Sequence, residues 1–163
     1  MINVSDDTII LTREGYDRVK TELHHLCAVE RPEVRKRLGE AKQSPEDFDT
    51  SEYENAKMDQ AIVEGRIAEL EDILRRARVL AEEEIPDKEI GLGSTVRLKD
   101  LDSGEAWEFR LVSSFEADPS ENRISVDSPL GEALLGHRPK QDVQVRAPAG
   151  TVRYRIIRIS KVP

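Results

Sequence analysis

Aromatic residues make up only 4% of the 163-residue chain, and cysteine occurs once, as Cys27. A lone cysteine excludes an internal disulfide and any zinc site built on paired cysteines. Cys27 sits beside an apolar helical seam and reads as a partly buried, inert thiol. No apolar run approaches the roughly 20 residues that span a bilayer, and no charged segment followed by an apolar core opens the chain. The expectation is a cytoplasmic protein with no membrane partner. Bases are also outnumbered, 25 to 33 acids, for a net charge of −8. Such a chain grips nucleic acid poorly through phosphates alone, so a nucleic-acid role must be local or run through a protein partner. Missing too are a nucleophile–His–acid spacing, a phosphate loop and a cysteine cluster; the chain shows no active site of its own. His24 and His25 are neighbours on a helix and diverge by about 100°, so they cannot chelate one metal together. His137 follows Gly136 at a helix end and takes no role.

What the sequence does have is helical periodicity. Few aromatics with 36% charged residues is a composition shared with disordered chains. Sustained apolar seams argue instead for exposed, ordered helices. Tyr53, Ala56, Gln60, Val63, Ile67, Leu70, Leu74 and Ala77 recur at alternating steps of three and four, the seam of a coiled coil. Tyr16, Val19, Leu23, Leu26, Glu30, Val34, Leu38 and Ala41 do the same, with one extra residue of drift near Val34. Laid antiparallel, Val19 meets Ala77, Leu26 meets Leu70, Val34 meets Val63 and Ala41 meets Ala56. The fold-back point is then Phe48, and the two segments make one helical hairpin.

Thr12 is a candidate N-cap for a first helix running to Gln43, with Pro32 a candidate kink. Ser51 with Glu54 has the form of a capping box for a second helix running to Leu80. Arms of this length span on the order of 45 Å and should protrude from so small a protein. After Pro86 and Gly91-Leu92-Gly93 the hydrophobic period changes to two, at 95–98, 105–112, 124–126, 143–145 and 151–159. Ser128-Pro129 opens a short helix closed by Gly136, and Pro148-Ala149-Gly150 is a turn. The expected organisation is a coiled-coil hairpin over residues 1–84 and an α+β domain, a small antiparallel sheet with one helix, over 85–163.

At the hairpin tip, S-P-E-D-F-D-T-S-E-Y-E crowds Glu46, Asp47, Asp49, Glu52 and Glu54 around Phe48. Helix-start dipoles account for Glu52 and Glu54. Glu46, Asp47 and Asp49 repel one another on a turn, and carboxylate oxygens suit hard cations such as Mg²⁺ or Mn²⁺. The loop lacks the spacing of a self-contained calcium site. Delivery of ligands to a metal held elsewhere and plain solvation are equally good readings of these residues. Arg31, Arg35 and Lys42 fall within about 40° of one another on a flank of the first seam. They are either a solvated face paired with Glu30, Glu33 and Glu40 or a guide for a nucleic-acid end.

Over nearly its whole length the chain resembles the bacterial Gre transcript-cleavage factors, GreA and GreB. The resemblance rests on L-T-R-E-G-Y at 11–16, R-P-E-V at 31–34, E-G-R-I-A-E-L-E at 64–71 and I-S-V-D-S-P-L-G-E-A-L-L-G at 124–136. It implies a coiled coil that enters the secondary channel of RNA polymerase and an FKBP-like domain that docks at the channel rim through Asp127, Ser128 and Pro129. The tip departs from the family. Cleavage-stimulating members carry G-D-L-x-E-N-A-E-Y, where this chain has P-E-D-F-D-T-S-E-Y at 45–53. Exchanging Asp and Glu moves each carboxylate by about a methylene, and an error on the order of 1 Å can cost two-metal chemistry roughly a hundredfold. The tip is closer to the S-D-D-Y-D-D-S of the inhibitory Gre-factor homologues from the Thermus–Deinococcus group.

The resemblance therefore implies a monomeric regulator of transcription elongation that is not itself an enzyme. In complex with polymerase, Glu46, Asp47 and Asp49 would engage an active-centre Mg²⁺ or Mn²⁺ and Phe48 would pack nearby. No cofactor is held tightly, and nascent RNA and DNA are met only through the elongation complex. Pausing is the favoured outcome and transcript cleavage the alternative. A coiled-coil adaptor with no active-site role is a more remote reading, as is a prolyl isomerase, for which the second domain has few aromatics.

Overall fold

The computed structural model describes residues 7–43 and 51–161, which form two compact units. One contains residues 14–77 and is helical. The other combines Ile9–Arg13 with the chain from Arg78 onward and is built on a sheet.

In the helical unit, α1 (Arg13–His25) leads through a π-helical turn (Leu26–Glu30) into α2 (Arg31–Ala41). The chain returns as α3 (Ser51–Arg76). Every position assigned to the two seams is buried or half-buried, with Val19, Leu26, Val34 and Leu38 on one arm and Ala56, Val63, Ile67 and Leu70 on the other at its centre. Each fully buried Leu or Ile contributes on the order of 1.5–3 kcal/mol. Ile73, outside the strict seam, is buried as well.

The drift near Val34 has a structural cause. In the π turn the Arg31 N–H reaches back five residues to the Leu26 carbonyl, so one extra residue is absorbed and the seam is restored. Pro32 follows immediately, at the start of α2. A proline ring clashes with the carbonyl four residues back in a regular α-helix, and a widened turn ahead of it relieves that clash. The proline marks a π turn within a continuing helix. The same widening aligns positions five apart, and His25 Nε2 lies 3.4 Å from Glu30 Oε1.

The second helix does not run to Leu80. It ends at Arg76, and Ala77–Val79 forms strand β2, paired with β1 (Ile9–Leu11). The Leu80 N–H continues the pairing to the Leu11 carbonyl at 2.7 Å. Ile9–Leu11 offers a strand edge, and burying Ile9, Leu11 and Leu80 within the second unit outweighs one further helical turn. Val19 thus has no helical partner at Ala77.

The sheet-based unit carries β3 (Thr95–Asp100), β4 (Ala106–Val112), β5 (Arg123–Ser125), α4 (Pro129–Leu134), β6 (Asp142–Ala147) and β7 (Gly150–Ser160). The strand order is β5-β4-β3-β7-β6. All neighbours are antiparallel except β4 and β5, which run parallel, so the sheet is mixed rather than antiparallel throughout. The connection over 113–122 is too long for a hairpin. It makes a 3-10 turn at Pro119–Glu121 and brings β5 alongside β4 in the same direction. One face of the sheet packs Ile90, Val96, Leu98, Phe109, Leu111, Val143 and Ile156 with Leu134 of α4. Three aromatics meet here: Trp107 packs edge-on against Tyr154 at 5.2 Å and lies 6.0 Å from Phe109.

Candidate functional site

The two arms of the hairpin are locked by charge pairs that cross between them. Arg31 grips Glu64 through two parallel bonds, Nε to Oε1 and Nη2 to Oε2, each 2.8 Å. Arg37 reaches Asp59 at 3.0 Å, and Arg66 closes on both oxygens of Glu22 at 2.7 and 3.0 Å while also holding Glu69. The hydrogen bonds from Arg31 hold the Glu64 carboxyl below the ordinary carboxylate range, helped by the charge of Arg35.

These pairs change the reading of the basic stripe. Arg31 is not matched by Glu30, Glu33 or Glu40; it is committed to Glu64 on the opposite arm and serves the hairpin's register. Arg35 and Lys42 are exposed and carry no ion pair among the described residues.

Glu46, Asp47, Phe48 and Asp49 lie outside the described residues, as does any turn between 44 and 50. The flanks are described. α2 closes with Lys42 N–H on the Leu38 carbonyl and Gln43 N–H on the Glu40 carbonyl, both 3.2 Å. α3 opens at Ser51, with Glu52 and Glu54 exposed in its first turn. Among the described residues, no three His, Cys, Asp or Glu side chains gather into a metal-binding group. Halfway along α3, Met58 and Ile62 stand four residues apart on one face and are 63% and 67% exposed.

In the sheet unit, the turn between β5 and α4 presents the second set of expected site residues. Ser128 caps α4: its Oγ accepts the Gly131 N–H at 3.0 Å and donates to the Ser125 carbonyl at 2.6 Å. The Asp127 N–H is held by Ser125 Oγ at 3.0 Å. Its carboxylate is exposed and unpaired among the described residues, and Pro129 beside it is exposed. Gly131 is what lets helix and strand approach this closely. A Cβ there would stand 2.1 Å from the Ser125 carbonyl oxygen and 2.8 Å from Val126 Cα. Ser128 therefore shapes the turn, and Asp127 and Pro129 are what it displays.

One polar lock has no counterpart in the sequence reading. Glu116 is 7% exposed, and its carboxylate accepts the Thr12 N–H at 2.8 Å and the Thr12 hydroxyl at 2.6 Å. The partners are 104 residues apart, and no local pattern signals the pairing.

Two family models divide the chain between them. "Transcription elongation factor, N-terminal" matches residues 9–79, and "Transcription elongation factor, GreA/GreB, C-term" matches 85–161. The chain belongs to the GreA/GreB family. It is 42% identical over 153 residues to the transcription elongation factor GreA of Syntrophomonas wolfei, covering 94% of this chain and 96% of that one. It is 43% identical over 158 residues to the GreA of a Roseiflexus species, covering 96% and 99%. Among solved structures, GreA factor homolog 1 (Gfh1) of Thermus thermophilus is 39% identical, with 94% and 99% coverage and a TM-score of 0.45. Members of this family are elongation factors that act on RNA polymerase and modulate its catalysis rather than being enzymes. No helix among the described residues is long and apolar enough to cross a membrane.

Proposed function

We propose that this GreA/GreB-family chain enters the secondary channel of RNA polymerase hairpin first and lengthens pauses. Glu46, Asp47 and Asp49 would act at an active-centre Mg²⁺ or Mn²⁺. The observation that carries this reading is the tip sequence P-E-D-F-D-T-S at 45–51, with three carboxylates around Phe48. Carboxylate oxygens fit a hard divalent cation. Glu46 and Asp49 each depart by a methylene from the pattern expected of cleavage-stimulating tips, a difference that two-metal chemistry punishes, and Asp47 stands where that pattern has leucine. A tip so charged competes with substrate binding, and Phe48 supplies an apolar contact beside it. Cross-arm pairs such as Arg31–Glu64 favour a stiff carrier for these groups, and the exposed Met58 and Ile62 suit contact with channel walls. Asp127 and Pro129 are the residues we assign to docking at the channel rim. The protein would work as a monomer in the cytoplasm, meeting RNA and DNA only through the elongation complex.

The second reading, stimulation of transcript cleavage, is favoured by the GreA relatives at 42–43% identity. Stalled elongation complexes with labelled RNA separate the two, run in Mg²⁺ and separately in Mn²⁺. Slowed extension at full transcript length is the expected result, and shortened transcripts would overturn it in favour of cleavage. Alanine at Glu46, Asp47 and Asp49 together should leave polymerase binding intact and abolish the effect. A variant that still slows extension would make the chain an adaptor with no active-centre role.

A further inference from the structure

The face of the sheet opposite α4 is strongly basic in a chain whose net charge is −8. Arg97 and Lys99 of β3, Arg146 of β6, and Arg153, Arg155 and Arg158 of β7 are all exposed there. Acids on the same face are few. Glu108 binds Arg158 at 2.8 Å, Asp142 binds Arg155 at 2.7 and 2.9 Å, and Asp102 reaches in from a turn to Arg153 at 3.4 Å. Arg97, Lys99 and Arg146 form no ion pair among the described residues, the Glu108 carboxylate across from Arg97 being taken by Arg158.

The register makes this arrangement costly. On the β7 side Arg97 stands directly across from Arg158 and Lys99 across from Arg155; on the β4 side Arg97 faces Glu108, which is bonded to Arg158, and Lys99 faces Ala106. Like charges directly opposite on adjacent strands destabilise a sheet. The pairing of β3 with β7 shifts between Arg97 and Leu98, which leaves Ile157 as the extra residue beside Arg158, 43% exposed on the same open face. No strand residue on that face is aromatic; Trp107, Phe109 and Tyr154 pack on the other side.

We propose that this face docks an acidic protein segment carrying an apolar side chain, its carboxylates on Arg97, Lys99 and Arg146 and its apolar group on Ile157. Three observations favour a protein over a nucleic acid. The face already holds Asp142 in a two-bond grip on Arg155, the geometry a partner's carboxylate would repeat. Its strands present no aromatic on which a base could stack. An exposed isoleucine has a complement in a peptide and none in a phosphate backbone. The proposal is independent of the tip and of the direction of the effect on elongation.

The test uses the full chain, titrated with a short Glu-rich peptide carrying a central leucine and, in parallel, with a thymidine oligonucleotide of equal charge. Amide NMR shifts map the footprint, and fluorescence anisotropy gives affinities at low ionic strength. Peptide shifts confined to β3, β6 and β7 are expected, with the oligonucleotide binding more weakly. Charge reversal by Arg97→Glu with Lys99→Glu should weaken the peptide at least about tenfold. Arg146→Glu, on an edge strand opposite Thr151, gives a second variant whose folding is not at stake. Tighter binding of the oligonucleotide, shifts spread over other surfaces, or unchanged affinity in Arg146→Glu would overturn the proposal.

Discussion

Arg31 and Glu64 sit on opposite arms of the hairpin and share two hydrogen bonds of 2.8 Å each. The bonds hold the Glu64 carboxyl below its ordinary value of 4.5. A group whose value is depressed by folding adds stability above its unfolded value and loses it as pH falls through the folded one. The gap in urea stability between the wild type and Arg31→Gln should therefore be widest at neutral pH and close progressively below about pH 4.5. A gap that stays constant down to pH 2 would mean that packing of the Arg31 stem carries the effect, not the ion pair. Arg31→Lys should recover only part of the loss, because an ammonium cannot make the two-bond fork.

Three glycines separate conformational entropy from close approach. Gly39 and Gly65 lie inside α2 and α3 with nothing within 4 Å of where a Cβ would stand. Alanine at either should stabilise the chain by roughly 0.4–1 kcal/mol. At Gly131 the same change drives a methyl into the Ser125 carbonyl. The loss there should be about 1–3 kcal/mol. Thermal denaturation of the three single variants checks the sign. If Gly131→Ala melts with the wild type, the packing of α4 on β5 is not as tight as the geometry states.

What could be read in the chain beforehand follows from the range of the forces involved. The seams repeat locally and were legible residue by residue, as were the Ser128-Pro129 helix start and the turn at Pro148-Ala149-Gly150, of which Gly150 is already paired with Ala147 in the sheet. The strand at Ala77–Val79 was not, because its identity depends on β1, more than 60 residues away in sequence, and the helical seam runs on through Ala77 without a break. The parallel placement of β5 was hidden for a similar reason: period-two alternation gives a strand its faces and says nothing about its direction. Arg31 illustrates the limit for site residues. Its place on the helix surface was readable, but its partner lies on the other arm, and only the register supplies it.

The lock between Glu116 and Thr12 belongs to that illegible class and gives a sharp stability test. A buried carboxylate accepting both an N–H and a hydroxyl is expected to contribute on the order of 1.5–3 kcal/mol. Glu116→Leu keeps much of the bulk but removes both acceptor oxygens and so breaks both bonds. Its destabilisation in urea should fall in that range, while Thr12→Val, which keeps the N–H bond, should cost less. Equal losses in the two variants would show that the hydroxyl bond dominates.

The π turn makes the strongest prediction about the helical unit. If Leu26–Glu30 absorbs one surplus residue, deleting a residue there should convert it to α-helix without moving any seam position off its face. Val29 is the choice, being 40% exposed. Deletion alone leaves Pro32 behind a regular turn, where its ring and missing N–H cost roughly 3 kcal/mol. Deleting Val29 together with Pro32→Ala removes that penalty and should melt close to the wild type. Deleting exposed Glu69 from α3 is the control: it rotates the helix by about 100° on one side of the gap and separates Leu70 and Ile73 from Val63 and Ile67 on the buried face. Circular dichroism melts of the three variants decide the matter. A compensated Val29 deletion as damaging as the Glu69 deletion would mean that the π turn is required for the arm's shape in its own right.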